Sequence, residues 1–319
     1  MRNFSRAFTM IELIMVIVIL GIIGMIVTEV LAQAYKGAFY QQKYAEREVE
    51  LERTLNIIEK RLKDALVDSI VLLDKNDVAG ACEVIGAQVD TEDAAAAFIM
   101  VDRDSMNGLW DGNRSRNGWS EQGSVGTVGG NTVINSTDAD FNVADTIIGD
   151  LYPGKTVTDA ALYRYPIITD VCSNFGWTGA AVALDPVTAL NSATQLRING
   201  AAGLNAQQMY RLASTAIAFK RIPGPVGNTG DGTLRMYYNF RPWNGVDTYQ
   251  SGDSAIVADH VSHFAIRMDS GSVHSMVGNP SLIGAFYRIN VCMKVVSDTN
   301  STANDTQDQI CKEKSVYVR

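Results

Sequence analysis

Histidine is scarce in this 319-residue chain, with three, His260, His263 and His274, and Asp259 beside the first. His260 and His263 are three positions apart, which on a strand puts them on opposite faces, and neither H-E-x-x-H nor a Cys/His cluster exists. No metal site is expected. G-x-S-x-G, the P-loop and a strand-to-helix G-x-G-x-x-G are also missing, so nucleophile and nucleotide chemistry lack support and the chain is read as no enzyme. Positive charge is short: 27 Lys and Arg stand against 35 Asp and Glu, a formal charge of -8, and the basic residues cluster only near Arg47 to Lys63. That gives no clear nucleic acid site. Charged residues make up 19% and hydrophobic residues 46%, which excludes a disordered chain and a multispan transporter. The length fits one elongated body with insertions.

The one strongly apolar stretch is Phe8 to Val27, preceded by Arg2 and Arg6 and no acid. Arginines before an apolar run place the N-terminus in the cytoplasm. At roughly 1.5 Å per residue, about 20 helical residues cross a bilayer once. Glu12 inside this run costs a few kcal/mol on insertion scales and is a functional candidate by default.

Ala7 followed by Phe8-Thr9-Met10-Ile11-Glu12-Leu13 resembles the cleavage and methylation motif of type IV prepilins and type II secretion pseudopilins. The resemblance implies a prepilin peptidase that cuts between Ala7 and Phe8 and methylates the new Phe8 amine. It also implies other pilins or pseudopilins, an inner-membrane assembly platform and inner-membrane lipid as partners. Ala7 replaces the more usual Gly, Met10 replaces Leu, and the Pro often found late in the helix is absent, with Glu29 nearby. The cut creates a positive amine near Glu12, and pairing opposite charges offsets their burial. In a filament that amine belongs to a neighbour, so Phe8 and Glu12 are the expected assembly residues; the alternative is an acid that snorkels to the membrane face. A rival cut after Ala32-Gln33-Ala34 would release a soluble protein starting at Tyr35. Against it, the apolar run exceeds a usual signal core, carries Glu12 and continues as helix.

Leu51, Leu55, Ile58, Leu62 and Leu66 recur at three- and four-residue steps, with Glu46, Arg47, Glu48, Arg53, Glu59, Lys60 and Lys63 between them. This predicts one long helix over 8–70, free to pack on other subunits in its first half and on a sheet of its own chain in its second. Gly21 and Gly24 permit close helix contact, without G-x-x-x-G spacing. An even cysteine count in an exported chain favours disulfides. Cys292 and Cys311 flank a short polar loop and are paired, which leaves Cys82 with Cys172 by elimination; four cysteines allow three pairings, and free buried thiols are the alternative.

From Val71 to Arg116 the pattern is mixed, and Ala94–Ala97 leading into Phe98-Ile99-Met100-Val101 reads as helix or strand. Residues 102–145, dense in Gly, Asn, Asp and Ser, are expected as turns or a long surface insertion. Asp102, Asp104 and Asn107-Gly108 outline a faint calcium loop whose spacing fails the known pattern. Solvated turn acids are preferred there and at Asp138, Asp140 and Asp145; no cofactor is expected, with calcium, which some relatives bind through loops, as the alternative. Leu234, Met236, Tyr238 and Phe240 alternate with polar residues, as do Tyr287, Ile289, Val291, Met293 and Val295, which predicts an antiparallel sheet with one covered face. Val261 to Met268, then a loop, then Phe286 to Val296 resembles the paired late strands of minor pseudopilin J and the minor pilin W group. Tyr163, Tyr165, Trp177, Tyr237, Tyr238, Trp243 and Tyr249 are expected in the core or on strand faces, and Trp110 and Trp119 as exposed contacts.

The expected fold is α+β: a leader over 1–7, a transmembrane and amphipathic helix over 8–70 packed on an antiparallel sheet, and an extracytoplasmic domain over 71–319. The expected function is a minor pilin or pseudopilin that starts or caps a filament. It would cross the bacterial inner membrane once and hold its C-terminal domain in the periplasm. The alternative is a membrane-anchored binding protein or adhesin outside any filament.

Overall fold

The structure, a computed structural model, describes residues 9–73, 82–85, 94–110, 115–164, 171–178, 184–199, 208–224, 232–245, 248–269, 284–295 and 309–318. Helix α1 runs unbroken over Met10–Lys63, about 80 Å at 1.5 Å per residue. Lys60, Arg61 and Lys63 occupy its last turn, where the helix dipole favours cations.

The helix stops short of residue 70, although Leu66 keeps the helical spacing. Ala65 bridges to Met100, the Leu66 amide donates to the Ile99 carbonyl at 2.8 Å, and the Val101 amide donates to the Asp64 carbonyl at 2.8 Å. A strand edge is available there to satisfy these backbone groups, so the chain leaves the helix and extends. Arg103 fixes the corner through Asp64 at 2.7 Å.

Among the described residues the strands are β1 Val71–Leu73, β2 Cys82–Val84, β3 Ala95–Val101, β4 Leu109–Trp110, β5 Ser115–Arg116, β6 Gln122–Val128, β7 Asn131–Asn135, β8 Ala161–Arg164, β9 Leu184–Ser192 and β10 Gln195–Ile198. They continue as β11 Gln208–Ile222, β12 Gly232–Phe240, β13 Asp253–Met268, β14 Ala285–Lys294 and β15 Gln309–Val318, and the later helices are α2 Arg103–Asn107, α3 Phe141–Leu151 and α4 Val171–Asn174. All the strand pairings within the sheets are antiparallel.

Strand β11 belongs to two assemblies at once. Its C-terminal half lies between β12 and β3, and the sheet continues through β13, β14 and β15 on one side and through β1 and β2 on the other. Its N-terminal half pairs with β8 and β6, and the circuit β11-β6-β7-β10-β9-β8 returns to β11, closing a ring of strands. Side chains alternate across β3, which is why a fully buried strand serves two cores. Ala96, Phe98 and Met100 join Ile217, Phe219, Phe264, Ile289 and Val291 under α1, while Ala95, Ala97, Ile99 and Val101 face the ring core of Trp119, Phe141, Leu162, Leu196 and Tyr210. The result is α+β in three layers: helix, sheet, ring.

Within the expected surface insertion over 102–145, β6 and β7 are strands of the ring and the start of α3 packs into its core. Gly129 and Gly130, at φ 57° and 79°, form the two-residue turn between β6 and β7, a conformation suited to glycine. Asp140 caps α3, which buries Phe141, Ala144, Ile147 and Ile148. The Gly- and Asn-rich signals mark hairpin turns, and the strands between them carry small residues in place of apolar alternation.

Candidate functional site

Among the described residues, nothing outside the helix covers the first half of α1. Every residue from Met10 to Gln42 is exposed, including Ile17, Leu20, Ile23 and Ile26, so the helix projects from the body by roughly 50 Å. It is long and apolar enough to cross a membrane. Tyr35, Phe39, Tyr40 and Tyr44 follow the apolar run as an exposed aromatic group, the residue type that gathers at membrane–water interfaces. Sequence reading missed this group, although its signal is four aromatic rings within ten positions.

Glu12 closes the N-terminal mouth of the helix. Its Oε2 accepts from the Thr9 amide at 3.1 Å and from the Thr9 hydroxyl at 3.0 Å, while Thr9 Oγ1 accepts from the Glu12 amide. This reciprocal cap satisfies two amides that the helix leaves open. It also holds a carboxylate beside the helix start. Ala7 and Phe8 lie outside the described residues.

The second half of α1 is bound to the body in two ways. Leu51, Leu55, Ile58 and Leu62 are buried against the sheet, worth about 2 kcal/mol each before chain entropy is counted. On the rim, Lys312 of β15 pairs with Glu48 at 3.0 Å and Glu52 at 3.2 Å, and Lys314 pairs with Glu59 and donates to Asn56 Oδ1 at 2.7 Å. Glu48 and Glu52 hold the Lys312 ammonium above its ordinary pKa, and Lys314 and then Lys63 hold the Glu59 carboxyl below its own. Exposed ion pairs add little energy; here they fix the height at which β15 meets the helix.

The remaining candidates have structural positions. Asp102 is the N-cap of α2: its Oδ1 accepts from the Ser105 amide at 3.1 Å, its Oδ2 has no hydrogen-bond partner among the described residues, and burial pushes its pKa up to about 6. With Asp104 in the first turn and Gly108 as C-cap, this segment is a short capped helix. Asp145 accepts from the Val157 amide at 2.7 Å, and Asp138 lines an open groove of about 490 Å³ with Gln122, Ser124, Asn135, Thr137 and Met209. Trp119 corrects the expectation of an exposed contact: it is fully buried and its indole N–H donates to the Asp102 carbonyl at 2.6 Å. Trp110 is 69% exposed. Tyr163, Trp243 and Tyr249 are buried, Trp177, Tyr237 and Tyr238 are half-buried, and Tyr165 is outside the described residues.

Strand β13 is irregular at the histidines: His260 adopts φ 60° and the register shifts between Val261 and His263. Plain alternation therefore does not place these two side chains, and His274 is outside the described residues. Among the described residues no group of three or more His, Cys, Asp and Glu side chains converges. Cys82 is bonded to Cys172, tying β2 to α4, and Cys292 to Cys311, directly opposite each other on β14 and β15.

Residues 2–28 match the prokaryotic N-terminal methylation motif. No curated protein and no solved structure matches the chain. The motif marks a prepilin-type N-terminus, of the kind a peptidase processes, and the bare apolar helix behind it is consistent with membrane anchoring.

Proposed function

We propose that the protein is a minor pilin or pseudopilin: a structural subunit, with no catalytic role, that starts or caps a type IV pilus or a type II secretion pseudopilus. The prepilin peptidase cuts it between Ala7 and Phe8 and methylates Phe8. The carrying observation is the bare half of α1 behind the methylation motif. An anchor needs only about 20 residues, whereas this helix stands clear of its body down to Gln42, which leaves surface for neighbouring helices once it leaves the bilayer. Glu12, already held at the helix mouth by Thr9, neutralises the methylated amine of an adjoining subunit. The sheet and the added ring make a bulky body on one helix, which suits a filament end better than every position along a shaft. The N-terminus faces the cytoplasm, the body folds in the periplasm where its disulfides form, and the assembly platform extracts the subunit. No metal or cofactor is required.

The test is intact mass and N-terminal sequence of the mature protein from native membranes, with and without the prepilin peptidase. Methylated Phe8, lost in the peptidase mutant, supports the reading. An uncut Met1 favours the plain anchor, and a start at Tyr35 means a released protein.

A further inference from the structure

The ring carries an open groove of about 490 Å³ on its outer surface, within the ~300–1,000 Å³ typical of small-ligand clefts. The groove lies where β6 changes partner: Gln122 and Gly123 pair with Met209 and Gln208 of β11, and from Ser124 onward β6 pairs with β7. Gly123 faces the core, since a Cβ there would stand 2.9 Å from the Tyr210 ring and 3.3 Å from Ile134. Alternation then points Gln122 and Ser124 outward, and the residues directly opposite them, Met209 and Asn135, share that face. One rim is formed by Thr137 and Asp138. Ser136 pins this rim: its hydroxyl donates to the Gln122 carbonyl at 2.8 Å and its amide to the Thr194 carbonyl at 2.9 Å.

Elsewhere on the ring the polar side chains answer one another: Asn191 donates to Gln195 at 2.6 Å and accepts from Arg197 at 3.0 Å, and Asp140 and Asp145 hold backbone amides. In the groove they do not. Among the described residues the side chains of Gln122, Asn135, Thr137 and Asp138 make no hydrogen bond or ion pair. Two primary amides, a hydroxyl and a carboxylate thus converge on one space with donors and acceptors open. Among the described residues no Lys or Arg lines it, which leaves phosphate and acidic chains without a partner. A single carboxylate falls well short of the oxygen ligands a cation takes. Met209, 46% exposed, is the apolar contact among the described lining residues, whereas a peptide draws its specificity from several side-chain pockets. A sugar ring matches this lining, with hydroxyls that donate and accept at once and a C–H face for a thioether side chain.

We propose that the groove binds a neutral carbohydrate of one or two sugar rings. Asp138 accepts from adjacent hydroxyls, the Gln122 and Asn135 amides donate to and accept from others, and Met209 lies under the C–H face. The site belongs to the ring, so it stands at a filament end or on a plain anchor alike, and its failure leaves the filament reading untouched.

Titration calorimetry of the full chain, in a detergent without a sugar headgroup, tests this. The probes are lactose, cellobiose, mannobiose and N,N′-diacetylchitobiose, with digalacturonate as the acidic sugar and tetraalanine as the peptide. Saturable binding of at least one neutral disaccharide, with a Kd of about 1 mM or tighter, is expected. Asp138→Asn, which keeps the shape and removes the charge, and Asn135→Ala should each weaken it at least about tenfold. Trp110→Ala, at an exposed aromatic residue outside the groove lining, should leave it unchanged. Melting curves that match the native chain show that the variants are folded, as expected for side chains with no partner in the protein. No binding of any neutral disaccharide, binding of digalacturonate or tetraalanine alone, or binding that survives both groove substitutions each overturns the proposal.

Discussion

Replacing Asp102 by Asn should change how stability depends on pH, by an amount set by the site. The carboxyl is 5% exposed, receives one hydrogen bond from the Ser105 amide, has an unpartnered Oδ2, and titrates near about 6 against an ordinary 3.8. Burial is the main cause, partly countered by Ser105 and reinforced by the Asp104 charge. A pKa raised on folding stabilises fully below the unfolded value and loses that contribution as pH rises through the folded one. The gap between about 6 and 3.8, at 1.36 kcal/mol per pH unit, is worth about 3 kcal/mol. Asn keeps the acceptor for Ser105 and removes the charge, although its amide N–H2 meets the unpartnered side and costs about 1–3 kcal/mol at every pH. The difference in unfolding free energy between native protein and Asp102→Asn should therefore shift by about 2.4 kcal/mol between pH 4 and pH 8, because pH 4 already lies just above the unfolded value, against the native protein at the alkaline end. Denaturant titration in detergent, followed by fluorescence of the adjacent Trp119, reads this difference. A difference that stays flat with pH would refute the buried-carboxyl reasoning.

Trp119→Ala should destabilise the body by about 3–5 kcal/mol through the cavity it leaves in the ring core, whereas Trp110→Ala should stay within about 0.5 kcal/mol; paired denaturation curves compare them. Glu12→Gln can keep the cap on Thr9 and loses only the charge, while Glu12→Ala loses both. If the charge neutralises a neighbour's amine, both variants should enter filaments at least about tenfold less than the native chain by co-purification. Normal incorporation of Glu12→Gln would reduce Glu12 to a helix cap.

Legibility in the sequence followed the range of the forces involved. Helix α1 was readable because its apolar run and its Leu51, Leu55, Ile58, Leu62 stripe are local patterns, and β14 because it alternates over one covered face; on β12 the alternation holds for Leu234, Met236 and Tyr238, whereas Phe240, after the left-handed Asn239, packs in the ring core with Tyr237. The end of α1 was misplaced because Leu66 keeps the helical spacing while its backbone answers to Ile99, more than thirty residues away. Residues 102–145 looked like surface because Gly129-Gly130 and its like were visible as turns, whereas the ring they serve closes through β11 pairing with β6 and β8, which no local window contains. Trp119 followed the same error: its neighbours Asn117, Gly118 and Ser120 are polar or small, and only the fold places Tyr210 and the Asp102 carbonyl against it. At the candidate site Glu12 stood out in sequence as an acid in an apolar run, while Tyr35, Phe39, Tyr40 and Tyr44 became noticeable as a group only once the helix was seen bare on all sides.

The most direct measurement is the N-terminal sequence and intact mass of the protein taken from native membranes. The account predicts a chain beginning at N-methylated Phe8, lighter by the leader Met1–Ala7 and heavier by one methyl group, and absent from a host lacking the prepilin peptidase. A chain that still begins at Met1, or that begins at Tyr35, contradicts it.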